Sequence, residues 1–285
     1  MITSEALNRN VLIVDDSTVI QNHTCRLIKP LSNVGEIFIA SNGIEAIEQA
    51  QKHPIDIVIL DIQMPLKDGL ETLPELLKIN PKVKVIISST LSLNGATITL
   101  KALSLGAYDY VTKPSPAIAG YTLADFERDL THKIENVLST ISISNAARKQ
   151  QLDLPRYSTP SEARALIPRA NAIVIGASTG GPTALLQLFQ SMPSKVNLPI
   201  FIVQHMPPIF TAMLAENIQR VSGIQTIEVQ ETQNVAPNTI YLAPGGYHLE
   251  LITQKTSVVL QLTTHPPENF CRPSVNPLFR SAAKI

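Results

Sequence analysis

The chain has 285 residues, 44% of them hydrophobic and 16% charged, and its 23 Lys and Arg balance its 23 Asp and Glu. This composition is typical of a globular protein long enough for two domains, and it excludes a disordered or fibrous chain. The charge balance gives no basic surface for nucleic acid, and the apolar runs are too short for direct membrane insertion. The first residues lack a signal-peptide pattern, and Cys25 and Cys271 are far apart, as expected for free thiols in the cytoplasm.

Residues 8–143 predict an N-terminal α/β domain in which strands alternate with helices. Apolar runs at 11–14, 34–40, 55–60, 83–87 and 108–111 predict five strands. Between these runs, apolar residues recur at helical spacing, as Leu70, Leu73 and Leu77 do. Five such alternations are typical of a doubly wound parallel sheet.

Polar side chains follow the predicted strands where each strand ends. They are Asp15, Asp16, Asp61, Ser88 and Lys113. The carboxyl ends of parallel strands meet at one edge of the sheet, so we expect these side chains to converge. Three carboxylates brought together repel one another, and the usual remedy is a hard divalent cation with oxygen ligands, here Mg²⁺. The alternative, in which Asp15 caps a helix and Lys113 is a solvated strand end, requires all five placements to be coincidental.

Residues 10 to about 135 resemble the receiver domain of two-component response regulators. The resemblance includes Met64-Pro65, Asp68-Gly69, Gly106-Ala107 and Lys113-Pro114. It implies that Asp61 is the phosphoacceptor, that Asp15 and Asp16 hold Mg²⁺ together with Asp61, that Ser88 and Lys113 contact the phosphoryl group, and that Tyr110 is the switch aromatic.

A helical stripe and then a polar stretch follow this domain. Apolar residues between 124 and 142 recur at helical spacing, which predicts the last helix of the receiver. From 144 to 169 the pattern gives way to Gln, Pro and Ser, which predicts a linker between the two domains.

Residues 170–285 predict a second, parallel α/β domain that begins with a strand, a tight turn and a helix. The strand is 172–175, the turn contains Ser178 between small residues, and the helix is 182–189. A serine on such an elbow has an exposed hydroxyl, and the first-turn N–H groups of the helix can stabilise an oxyanion. On the residue pattern alone, a helix cap or a phosphate-cradling loop is an equal alternative.

A histidine follows the next strand of this domain. The strand is 199–203, and His205 follows it closely. His205 therefore lies at the same sheet edge as Ser178, where an imidazole can take the proton of the serine. The other histidines of the domain, His248 and His265, are read as structural.

Four segments of the second domain together resemble the chemotaxis protein-glutamate methylesterase family. They are Gly-Ala-Ser-Thr-Gly-Gly-Pro at 176–182, Gln-His-Met-Pro-Pro at 204–208, Tyr-Leu-Ala-Pro-Gly at 241–245 and Arg-Pro-Ser-Val at 272–275. The resemblance implies that Ser178 is the nucleophile, His205 the general base and Thr179 a supporting group, with no cofactor for the esterase chemistry. The implied substrates are glutamyl methyl esters on chemoreceptors, and some members also deamidate receptor glutamines. A chemotaxis histidine kinase would be the phosphodonor, and the unphosphorylated receiver would block the elbow.

The chain departs from this family at two points. The family's triad aspartate lies in a later segment, whereas no Asp follows Asp153 here, and Asn276 replaces a common Asp. We therefore expect an incomplete methylesterase domain, truncated at the C-terminus. Two alternatives remain: a non-catalytic signalling module that carries a receiver, and a response regulator that hydrolyses some other small ester.

Overall fold

The structure is a computed structural model that describes residues 8–90, 92–114, 122–149 and 170–285. The first domain contains a five-stranded, wholly parallel sheet, as predicted, and its strand order is β2-β1-β3-β4-β5. Its strands are β1 (Arg9–Val14), β2 (Val34–Ala40), β3 (Ile57–Asp61), β4 (Lys84–Thr90) and β5 (Asp109–Lys113). Its helices are α1 (Thr18–Ile28), α2 (Gly43–Lys52), α3 (Gly69–Ile79), α4 (Leu93–Ser104) and α5 (Leu123–Lys149).

Alternate residues of the central strands face two separate apolar layers. Leu12 and Leu60 pack with α2, α3 and α4 on one face, and Ile13 and Ile59 pack against α5 on the other. Every residue of β3 is buried, which is why the strand is apolar without alternation from Ile57 to Leu60, ahead of Asp61 at its end.

Several observed boundaries differ from those predicted. β3 begins at Ile57 rather than at the predicted 55, and the Asp56 carboxylate just before it accepts hydrogen bonds from Arg9 (3.3 Å) and from the Asn10 N–H (3.0 Å). α4 begins at Leu93, where the Ser92 hydroxyl caps it by accepting from the Gly95 N–H at 2.9 Å. α5 continues to Lys149, past the predicted domain end at 143, and linker positions 150–169 lie outside the described residues.

The second domain contains two sheets. A parallel sheet has the order β6-β7-β10-β8, and an antiparallel sheet, which the sequence analysis did not predict, has the order β11-β12-β9. The strands are β6 (Ile173–Ala177), β7 (Ile200–Gln204), β8 (Gln225–Glu228), β9 (Gln233–Asn234), β10 (Thr239–Leu242), β11 (His248–Gln254) and β12 (Ser257–Thr263). The helices are α6 (Gly181–Ser191), α7 (Pro208–Ser222) and α8 (Val275–Ala282).

The two domains share an apolar core. Side chains of α4, including Leu100 and Leu103, belong to the same buried cluster as Leu185 of α6 and Leu214 of α7. The ring of Tyr110 on β5 stacks on Phe210 of α7, with 4.5 Å between the ring centroids. This packing places the β5 side of the first domain against the start of α6. In the described ranges, none of the helices has the length and apolar character needed to cross a membrane.

Candidate active site and candidate phosphorylation site

The polar residues predicted to converge in the first domain lie together at one edge of its sheet. Asp15 and Asp61 are buried, and Asp16 is exposed. Carboxylate oxygens of these three residues lie within 4.8 Å of one another. The Lys113 ammonium nitrogen is 2.7 Å from Asp15 Oδ2 and 2.8 Å from Asp61 Oδ2. The cluster therefore combines closely spaced oxygen ligands with one cation, a donor set that suits a hard divalent ion.

The electrostatics of this cluster follow from its burial. Burial raises the pKa of the Asp61 carboxyl, and Lys113 opposes that rise. Burial lowers the pKa of Lys113, but the two neighbouring carboxylates outweigh it and raise that pKa above its ordinary value. Lys113 therefore stays protonated between the carboxylates, where its ammonium can also meet an added anion.

The other two residues predicted for this site lie on neighbouring strands. Ser88 is inside β4, directly beside Asp61 in the strand register, and it is buried. Tyr110 is also buried, with the ammonium of Lys133 at 4.6 Å from its ring centroid. Because Tyr110 packs on Phe210, it contacts the second domain rather than solvent.

The predicted elbow is present in the second domain. β6 ends at Ala177, and α6 begins at Gly181 with Pro182 in its first turn. Gly180 has φ +72°, a left-handed conformation that favours glycine. Ser178 lies on this turn and is exposed, as a nucleophile must be.

The structure brings the predicted serine and histidine into hydrogen-bonding contact. His205 Nδ1 lies 3.1 Å from Ser178 Oγ. The strand register explains the contact. Ala177 at the end of β6 pairs with Gln204 at the end of β7, so the segments that carry Ser178 and His205 leave the sheet at the same level. Burial lowers the pKa of the imidazole, and the charge of Lys133 lowers it further. The neutral imidazole that a general base requires is therefore favoured.

The second nitrogen of this imidazole has no hydrogen-bond partner. His205 Nε2 is buried and unpaired among the described residues, so no described carboxylate orients the ring. If Nδ1 accepts the serine proton, the neutral ring carries its own proton on Nε2. This N–H points to the position at which an orienting acceptor would act.

Gln204 supports both members of the pair, and the sequence analysis missed it. Its side-chain amide donates to the Ser178 carbonyl at 3.1 Å and to the His205 carbonyl at 3.3 Å. The Gln204 side chain is buried under the elbow, where a Cβ on Gly181 would come within 2.0 Å of its Oε1. No spacing rule identifies such a residue, because its role depends on two backbone carbonyls brought together by the fold.

The predicted supporting group, Thr179, is bonded to the first domain. Its hydroxyl accepts from Asn136 Nδ2 at 2.9 Å. Of the histidines read as structural, His248 is fully buried and accepts from the Ser274 N–H at 3.1 Å. His265 is exposed and lies 3.6 Å from Glu250. Neither is in hydrogen-bonding contact with Ser178.

Comparison with known proteins assigns a family to each half of the chain. Residues 11–120 match the response regulator receiver domain, and residues 173–285 match the CheB methylesterase. Over 99% of its length the chain is 39% identical to protein-glutamate methylesterase/protein-glutamine glutaminase 1 of Rhodospirillum rubrum, of which it covers 80%. It is 38% identical, over 96% of its length, to the protein of the same description from Paramagnetospirillum magneticum, of which it covers 76%.

Among solved structures, the catalytic domain of the Thermotoga maritima CheB methylesterase is 36% identical to this chain. That likeness covers 41% of this chain and 62% of the other, with a TM-score of 0.40. The sequence relatives match nearly the whole chain at well above 30% identity. The chain therefore belongs to the protein-glutamate methylesterase/protein-glutamine glutaminase family, with a receiver domain ahead of its methylesterase domain.

Proposed function

We propose that this protein hydrolyses glutamyl methyl esters on chemoreceptors and that phosphorylation of Asp61 controls the reaction. The observation that supports it most directly is the 3.1 Å contact between Ser178 Oγ and His205 Nδ1 on an exposed elbow. We assign the receiver to residues 8–143, the linker to 144–169 and the methylesterase domain to 170–285. The proposed substrates lie on the cytoplasmic helices of receptors, so we place the reaction in the cytoplasm.

The chemistry is acyl transfer to a serine. Ser178 Oγ attacks the ester carbonyl while His205 Nδ1 takes the hydroxyl proton, and a bond forms between Oγ and the carbonyl carbon. The bond from that carbon to the methoxy oxygen then breaks, and His205 gives its proton to the leaving group, which departs as methanol. Water, deprotonated by His205, attacks the acyl-enzyme, so that Oγ regains a proton and the glutamyl carboxylate leaves. Deamidation of a glutamine follows the same steps, with ammonia as the leaving group.

The receiver chemistry uses the cluster around Asp61. Asp15, Asp16 and Asp61 would hold Mg²⁺, which supplies positive charge for a transferring phosphoryl group. The Asp61 carboxylate accepts the phosphoryl group from a chemotaxis histidine kinase, and Lys113 and Ser88 bind the phosphoryl oxygens. Tyr110 would transmit the change, because its ring already contacts the second domain at Phe210.

The proposal is tested by measuring methanol release from methylated chemoreceptor membranes, with and without Mg²⁺ and a small phosphodonor. We expect release that the phosphodonor increases and that depends on Mg²⁺. Release from a free ester but not from methylated receptor would favour a different ester hydrolase. Phosphorylation of the chain without release of methanol from either substrate would favour a non-catalytic signalling module.

The pH dependence of this reaction should report His205. We expect the ascending limb of the pH profile of kcat/KM to have its midpoint below about pH 6.5, the ordinary imidazole pKa. The reason is that burial lowers the pKa of His205 and Lys133 lowers it further. The sign follows from the role of a base: a lower pKa keeps the imidazole neutral, and hence active, at more acidic pH. Methanol release between pH 5 and 8 measures the limb.

A matched control is His265→Gln, which changes an exposed histidine of the same domain and should leave the limb in place. If the midpoint of the limb in the wild-type protein lies at or above the ordinary imidazole pKa, the assignment of the buried His205 as the general base is contradicted.

A further inference from the structure

A carboxylate of the receiver domain is hydrogen-bonded to the elbow that bears the candidate nucleophile. Asp109, the first residue of β5, is 2% exposed, and its Oδ2 accepts from the Gly180 N–H at 2.7 Å. Gly180 comes two residues after Ser178 and directly precedes α6. The contact therefore joins an anion to a donor at the N-terminus of the helix that follows the nucleophile.

The surroundings of Asp109 compensate a buried negative charge. Its Oδ1 accepts from the Tyr110 N–H at 2.7 Å and lies 3.5 Å from the ammonium of Lys133. Lys133 also lies 3.2 Å from Asp129 Oδ2 and donates to the Tyr110 carbonyl. Burial holds the pKa of the Asp109 carboxyl above its ordinary value, and Lys133 and the Gly180 N–H oppose that rise. The carboxylate accepts from two backbone N–H groups and lies beside an ammonium, and these partners offset the cost of burying its charge.

We infer that the Gly180 N–H is the donor that receives the substrate's carbonyl oxygen, and that Asp109 occupies it as an internal competitor while the receiver is docked. The inference rests on the proposed function, because it concerns how the same site binds its ester and how it is regulated. An ionised carboxylate oxygen resembles the oxyanion of the tetrahedral intermediate in charge and in hydrogen-bonding requirement. The two cannot occupy one N–H together.

Exposure of the nucleophile distinguishes this mode of inhibition from simple coverage. Ser178 remains exposed in the docked arrangement, so the receiver does not bury the attacking hydroxyl. Its contacts fall instead on the residues that follow Ser178. Asn136 donates to the Thr179 hydroxyl at 2.9 Å, and the Thr183 hydroxyl donates to the Ala107 carbonyl at 3.0 Å. Inhibition then acts by occupying a donor that the reaction needs.

Strand β5 connects this contact to the phosphorylation site. It is five residues long, with Asp109 at one end and Lys113 at the other. Lys113 bonds to Asp61, the proposed phosphoacceptor, and Asp109 bonds to Gly180. A phosphoryl group on Asp61 that draws Lys113 toward itself would act on the same short strand that carries the competitor.

The experiment uses the full chain as wild type, Asp109→Ala, Asp109→Asn and the matched control Asp129→Asn. Asp129 pairs with the same lysine from α5 but does not contact the elbow. Two quantities are measured without phosphodonor: methanol release from methylated receptor membranes, and hydrogen exchange of the Gly180 amide by NMR. Thermal unfolding and phosphorylation of Asp61 verify that each variant is folded, and the Asn variant preserves the shape of the side chain.

We expect Asp109→Ala to raise both release and Gly180 exchange by about tenfold, the effect of losing one charge-assisted hydrogen bond. Asp109→Asn should fall between Ala and wild type, because a neutral amide oxygen accepts more weakly, and Asp129→Asn should match wild type. If folded Asp109→Ala releases methanol at the wild-type rate or more slowly, while the phosphodonor still stimulates wild type, Asp109 does not compete with the substrate. The proposed function would then remain intact. If none of the proteins releases methanol, even with phosphodonor, both the proposed function and the proposed role of Asp109 are wrong.

Discussion

Replacing Ser178 by Ala is expected to reduce methanol release from methylated receptor membranes to background. Loss of a serine nucleophile in a serine hydrolase costs on the order of a millionfold in turnover. Here the hydroxyl is the atom in contact with His205 Nδ1, at 3.1 Å, so its removal leaves the base with no proton to accept. Initial rates of methanol release with phosphodonor present measure the effect.

Ser191→Ala is the matched control for this change. Ser191 lies at the other end of α6, where its exposed hydroxyl donates to the Leu188 carbonyl at 2.8 Å. We expect wild-type release from that variant. Phosphorylation of Asp61 should be unaffected in both variants, which separates loss of chemistry from loss of folding. Residual phosphodonor-stimulated release from Ser178→Ala would show that another group is the nucleophile.

Replacing Asp61 by Asn is expected to abolish phosphorylation of the chain and, with it, stimulation by a phosphodonor. An amide cannot form the acyl phosphate that a carboxylate forms, and the change also replaces a charged carboxylate ligand beside Asp15 and Asp16 by a neutral one. Release of methanol should then stay at the unphosphorylated wild-type rate. Incorporation of labelled phosphate from a small phosphodonor, with and without Mg²⁺, measures the first effect directly.

Asp68→Asn tests whether this loss is specific to position 61. Asp68 caps α3 by accepting from the Glu71 N–H at 2.8 Å, and Asn caps a helix about as well as Asp. That variant should be phosphorylated and stimulated like wild type. Removal of Mg²⁺ with a chelator should reduce labelling of wild type and Asp68→Asn alike. Labelling of Asp61→Asn equal to wild type would place the phosphoacceptor elsewhere.

Much of the fold was predictable because its rules are local. Five apolar runs separated by helical patterns indicate a parallel sheet, and the observed sheet has those five strands. Convergence of Asp15, Asp61 and Lys113 follows from the same geometry, since parallel strands end at one edge. Helix boundaries were less predictable, since the start of α4 depends on the Ser92 hydroxyl, which caps the helix through a hydrogen bond that the apolar pattern does not reveal.

The candidate active site was predictable only in part. Ser178 on a strand-to-helix elbow and His205 after the neighbouring strand are each visible in the sequence, and the register of β6 and β7 brings them together. The antiparallel sheet of β11, β12 and β9 was not predicted, and neither was Gln204 as a support for both backbones. These features depend on long-range pairing rather than on residue spacing.

The sequence by itself determined the alternation of strands and helices, the polar residues at the sheet edges and the serine on its elbow, because each follows from periodicity and strand order; the two domain types follow from resemblance of the motifs. Only the tertiary structure decided that Asp109 bonds to the Gly180 N–H and that Lys133 lies beside both Asp109 and the ring of Tyr110. Asp109 and Gly180 lie in different domains, and no local pattern relates them. Their contact exists because apolar side chains of α4, α6 and α7 pack into one core, which brings β5 against the start of α6.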